Sequence, residues 1–154
     1  MGHGLPDFYR GVDIAYQALS ELINRPKYGA AQKSFASVWV TPGVITNLIS
    51  VSGKGIIYGG VLYLSPSTNQ EGSSPRLTVD GIFLAGLSFY TLNRYGWNIP
   101  QSYVWYLTKY DNVNFVFSVG IGYPITFESS FVVGYKENYE VSVNVACDFC
   151  YALV

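Results

Sequence analysis

Charge is what this chain has least of. Nine basic and ten acidic residues in 154 amount to 12%, against the roughly one-quarter of an average globular chain. So thin a charged coat suits surfaces covered by other protein better than surfaces facing water. The net charge of −1 adds little self-repulsion and favours association. No basic cluster is longer than Arg25-Pro26-Lys27, so there is no positive stripe to neutralise several phosphates, and direct nucleic-acid binding is not expected.

Histidine and cysteine are nearly missing too. With His3 as the single histidine, Ser-His-Asp and Cys-His arrangements are nearly excluded as catalytic readings. Cys147-Asp148-Phe149-Cys150 has C-x-x-C spacing, but a four-ligand zinc site needs two more Cys or His, and His3 lies far away in sequence. A redox pair needs a helix N-terminus to lower a thiol pKa, whereas this stretch reads as a strand sending its two thiols to opposite faces. Two reduced, semi-buried thiols are the preferred reading, with zinc shared between subunits as the alternative. Asp111, Glu128, Glu137, Glu140 and Asp148 are scattered over turns and outward strand positions and read as solvated surface rather than paired catalytic carboxylates. Gly53-Lys54-Gly55 and Gly59-Gly60 lack the P-loop pattern and a following helix, so these glycines read as bulges or close backbone approaches. No catalytic residue, cofactor or metal is assigned.

Long apolar runs are absent as well. Nothing approaches the eighteen or so residues of a membrane span, and Met1-Gly2-His3-Gly4-Leu5-Pro6 lacks the basic and apolar regions of a signal peptide. The expectation is a protein made and kept in the cytoplasm, with any exit by a route without a cleaved signal, such as lysis or packaging into a particle.

Aromatics stand where charge is missing: 14 Tyr, 9 Phe and 3 Trp. Near the start, Val12, Ala15, Tyr16, Leu19, Leu22 and Ile23 recur at helical spacing, which predicts an amphipathic helix over Phe8 to Asn24. Asp7 or Asp13 suits its N-terminal end, Arg25 its C-terminal end, and Pro26 stops it. Residues 1–33 are therefore expected to form an N-terminal arm, and 34–154 a β-domain.

From Ser34 onward, short runs of Val, Ile, Tyr, Phe and Thr alternate with Gly, Pro, Asn, Asp and Ser, the pattern of successive strands. They span about Ser34 to Thr41, Val44 to Ser52, Gly55 to Ser65, Arg76 to Val79, Ile82 to Leu92, Ser102 to Tyr110, Val113 to Ile121, Ile125 to Tyr135 and Tyr139 to Val154. No second helix is expected between them, which disfavours a parallel α/β sheet. Tight hairpins are predicted at Asp80-Gly81, at Asp111-Asn112 and across Tyr135 to Tyr139. The fold class is mainly β: an antiparallel β-sandwich, jelly-roll-like, with one N-terminal amphipathic α-helix.

Two polar stretches interrupt the strands. Residues 65–75 read as bland and flexible; residues 93–101 present Tyr95 and Trp97 on a glycine-containing turn. Tyr95, Trp97, Tyr103, Trp105 and Tyr106 could stack on sugars, or could build a subunit interface. Because aromatics occupy nearly every strand rather than one loop, core plus interface is preferred. The interface residues expected are Phe8, Tyr9 and Tyr16 on the arm and Tyr95, Trp97 and Tyr103 around the second loop. The alternative is a lectin-like sandwich stacking sugars on Tyr95, Trp97 and Trp105, with Asn93, Asn98 and Gln101 as hydrogen-bonding groups.

Three segments, Val44 to Gly60 with its L-I-S-V-S-G-K-G, the L-T-V-D-G of Leu77 to Gly81, and the later Phe127-Glu128-Ser129-Ser130-Phe131, resemble the small β-sandwich virion structural proteins of phages and related double-stranded DNA viruses. The likeness runs from Ser34 to about Val145 and leaves the helix outside it. It implies a particle component, such as a capsid, decoration or tail subunit, whose partners are copies of itself and other particle proteins. It brings no catalytic residues.

Overall fold

The computed structural model describes residues 14–20, 27–100 and 103–154. Residues 14–20 form helix α1. Ten strands follow: β1 Gln32–Val40, β2 Ile45–Ser52, β3 Gly55–Leu64, β4 Ser74–Val79, β5 Ile82–Ala85, β6 Trp105–Asp111, β7 Val116–Ile121, β8 Ile125–Phe127, β9 Ser130–Lys136 and β10 Val143–Leu153. A second helix, α2, spans Phe89–Arg94.

All pairings are antiparallel and sort into two sheets. The six-stranded sheet runs β1-β10-β3-β7-β6, with β8 also on β3; the four-stranded sheet runs β2-β9-β4-β5. The first strand thus lies beside the last, and the second beside the one before it. Between the sheets sit Trp105, Tyr135, Phe89, Phe117, Phe127, Phe131 and Phe149, all fully buried. Phe131 is central, edge-on to Phe127 at 5.1 Å and to Tyr151 at 5.5 Å. Aromatics of this size let a sandwich layer about 10 Å thick close without voids.

Local chemistry explains several joints. Asp80 and Gly81 turn β4 into β5 with φ of 51 and 77, as the Asp-Gly pair predicts for a primed turn. The Asp80 carboxylate then accepts from the backbone N–H groups of Glu128, Ser129 and Ser130 at 2.7 to 3.1 Å. Those residues are the corner between β8 in one sheet and β9 in the other, so one carboxylate satisfies the donors freed where the chain changes sheets. The expected single strand Ile125 to Tyr135 is therefore two.

Other expectations are corrected. The run Ile82 to Leu92 stops as a strand at Ala85 and becomes α2, so a second helix does interrupt the strands. Ser88 Oγ caps it by accepting from Thr91 N at 3.2 Å. At its other end Gly96, with φ 68, sends its N–H to Asn93 O while Trp97 N–H reaches Leu92 O, a Schellman ending. Phe89 and Leu92, three apart, are its buried face. Tyr135 to Tyr139 is not a hairpin: β9 and β10 belong to different sheets, and residues 137–142 cross between them. Tyr139 and Val141, expected inward, are exposed on that crossing. Shorter strands than expected also begin at Trp105, Val116 and Val143.

Candidate functional site

Among the described residues no three of His, Cys, Asp or Glu lie together to hold a metal, and no helix is long and apolar enough to cross a membrane. Cys147 and Cys150 are free, one buried and one exposed, on opposite faces of β10 as their spacing predicts. Burial pushes the Cys147 thiol up to about 11. Asp148 pairs with Lys33 at 2.7 Å and Glu128 with Lys54 at 2.7 Å, while Asp111 caps its own turn by accepting from Val113 and Asn114 N–H.

Glu137 departs from the solvated-surface expectation, being fully buried. One of its carboxylate oxygens accepts from Tyr139 N–H. It follows β9, at the start of the crossing, beside the loop of residues 65–73, which is not bland: Gln70 and Ser73 are fully buried, with Ser73 Oγ donating to Gln70 Oε1 at 2.8 Å and accepting from Asn138 N–H at 3.0 Å. Tyr110 Oη donates to Glu71 Oε2 at 2.6 Å. These bonds fasten the loop to the sheet crossing.

Of the expected interface residues, three come together. Tyr95, Trp97 and Tyr103 stack in series, with ring centroids 5.6 Å and 4.8 Å apart. Trp97 and Tyr103 pack on the core as partly buried rings, and Tyr95 is the exposed end. Burial raises the Tyr103 phenol above its ordinary value. Tyr16 stands exposed on α1 with Ile14 and Leu19; Phe8 and Tyr9 lie outside the described residues. The sugar platform loses Trp105, which is a fully buried core residue beside Phe149. Asn93 and Asn98 do line a groove of about 270 Å³ with Thr108, Lys109 and Tyr110; Gln101 lies outside the described residues.

A larger feature was missed. Alternation and register put Lys33, Phe35, Ser37 and Trp39 of β1, Asn144, Ala146, Asp148 and Cys150 of β10, and Val61 and Tyr63 of β3 on the outward face of the six-stranded sheet. Phe35 is 60% exposed, Trp39 68%, Val61 38% and Tyr63 43%. The only ion pair there among described residues is Lys33 with Asp148. The signal was present in β1, where Phe35, Val38, Trp39 and Val40 make both faces apolar. Reading it required knowing which face the core takes.

No family model and no curated protein matches the chain. Among solved structures it is similar to a chain of the cyanophage Pam1 capsid asymmetric unit, at 11% identity and a TM-score of 0.44, over 85% of this chain and 90% of that one. A second likeness, to the infectious bursal disease virus VP2 subviral particle, has 13% identity and a TM-score of 0.28, over 85% of this chain and 42% of that one.

Proposed function

We propose that this chain is a non-enzymatic structural subunit of a self-assembling particle, a virion component such as a capsid, decoration or tail protein. The observation that carries the reading is the outward face of the six-stranded sheet. Isolated exposed apolar residues are ordinary, but a contiguous patch marks an interaction surface. Here two large rings, a valine and a tyrosine share one face of three adjacent strands, in a chain with half the usual charge. Copies bury such faces against one another without desolvating unpaired ions. The pairing of the first strand, β1, with the last, β10, supports the same reading. The segment before β1 acts as an arm whose exposed Ile14, Tyr16 and Leu19 clasp a neighbour, and Tyr95, Trp97 and Tyr103 form a second contact at the α2 end.

Light scattering of the purified chain across a concentration range, with electron microscopy of the same samples, tests this. Regular particles, rings or filaments are expected. A monomer that persists at high concentration overturns the self-assembly reading.

A further inference from the structure

The exposed sheet face carries both a knob and a hollow. Trp39 projects at one end of β1. At the other end Lys33, Asp148, Cys150 and Val61 surround a hollow of about 240 Å³ over Gly59 and Gly60. Its floor is bare backbone at Gly59, where an added Cβ would meet nothing within 4 Å. Lys33 pairs with Cys150 across the strands and Trp39 with Asn144, so knob and hollow are separated by six residues of β1, or about 20 Å.

We propose that this face is a two-fold interface between copies of the chain, in which Trp39 of each copy enters the hollow of the other. The proposal rests on the self-assembly reading above and specifies one of its contacts. An in-plane axis crossing β1 and β10 at the level of Ala36 and Cys147, which are register partners, turns the second copy over and reverses its strands. That operation sets the second Trp39 above the first copy's Lys33 and Cys150, and the reverse contact forms at the same time. One surface thereby satisfies both sides, as an isologous interface requires.

The area is adequate. Nine residues of β1 run for about 30 Å, and the five side-by-side strands cover about 20 to 25 Å across. A footprint of roughly 600 to 750 Å² approaches the ~800 Å² per partner of a standard interface. The chemistry of the hollow fits an indole. Its wall charges are already paired, Lys33 Nζ with Asp148 at 2.7 Å, so ring entry strands no ion. The ammonium at the rim can lie over the ring face, a favourable cation–π contact.

Trp39→Cys in the full chain provides the test, because Cys150 is exposed in the hollow and sheets packed face to face stand about 10 Å apart, a gap that a short bis-maleimide bridges and a direct disulfide does not. The cross-linker is expected to give a covalent dimer whose peptide mass joins the introduced thiol to Cys150, and adding Cys150→Ala should abolish it. Gly59→Leu should fill the hollow and raise the dimer dissociation constant about tenfold or more, with the melting temperature of the monomer preserved. Absence of that cross-link, or a cross-link to Cys150 within one chain, overturns the interface. If wild-type particles or oligomers persist in such samples, the assembly reading survives that failure; if the wild-type chain is monomeric at every concentration, both fall.

Discussion

Gly59 and Gly60 are adjacent, and the fold predicts opposite outcomes for the same substitution at each. Cys150 pairs with Gly59 while Tyr151 pairs with Ile57, so Tyr58 is an extra residue and β3 carries a bulge. Past it, Gly60 faces inward opposite Phe149. A Cβ at Gly60 would lie 2.5 to 2.6 Å from three atoms of the Phe149 ring, about 1 Å inside ordinary carbon contact. The ring cannot retreat, since it is fully buried between Trp105 at 6.2 Å and Phe131 at 6.3 Å. Overpacking of this kind costs about 1–3 kcal/mol, and removing glycine from the unfolded chain returns about 0.4–1 kcal/mol. Gly60→Ala should therefore be destabilised by roughly 1–2 kcal/mol, a fall in Tm of about 2–8 °C. Gly59→Ala, with open space at its Cβ, should be as stable as the parent or up to about 1 kcal/mol more stable. Urea unfolding followed by tryptophan fluorescence reads both as shifts in midpoint at constant slope. Phe149→Leu in the Gly60→Ala background should recover part of the loss through a coupling of about 0.5–3 kcal/mol. Equal stability of the two alanine variants, or a destabilised Gly59→Ala with an unharmed Gly60→Ala, would refute the register and the bulge together.

Phe89→Ala should cost about 3–5 kcal/mol, because the ring anchors α2 against Phe117 at 5.3 Å; exposed Tyr90→Ser beside it should change stability by less than about 0.5 kcal/mol. Asp80→Asn should destabilise the sheet-changing corner and flatten the acid limb of stability. The carboxylate is held below its ordinary value by the backbone N–H groups of Glu128, Ser130 and Ser129, so its contribution is complete above the unfolded-state value near 3.9 and is lost as pH falls through the folded one. Urea midpoints between neutral and strongly acid pH check the sign. In the dissociated chain a thiol reagent at mildly alkaline pH should label Cys150 only, with Cys147 reacting after denaturation, since burial keeps its thiol protonated. Tyr95→Asp should impair assembly in light scattering without moving the unfolding midpoint, its ring being the exposed end of the Tyr95, Trp97, Tyr103 stack.

Much of the architecture was legible because strands and primed turns are written locally. Asp80-Gly81 demanded positive φ at two successive positions, and Phe131, Val133 and Tyr135 alternated with a period of two. The glycines of β3 also carried their meaning as a bulge and a close approach. The α2 helix was misread because Phe, Tyr and Thr in Phe89-Tyr90-Thr91 favour strands, although Ser88 and Gly96 stood in capping positions at either end. Six residues give propensity too little weight against packing. At the candidate surface, Tyr95 and Trp97 could be found as loop aromatics, whereas Phe35 and Trp39 could not be told from core residues of the same strand.

By itself, the sequence determined the β class, the helix early in the chain, the turn at Asp80-Gly81, and a thinly charged composition. Those properties depend on residues within a few positions of one another. Only the tertiary structure decided which sheet each strand joins. β1 meets β10 more than a hundred residues away, while β9 and β10 part company across six residues. Hydrogen-bonding edges of strands are chemically alike, so pairing is selected by the one arrangement that buries Phe131, Phe149 and Trp105 together and leaves Phe35 and Trp39 outside. That collective choice made one face core and left the other exposed.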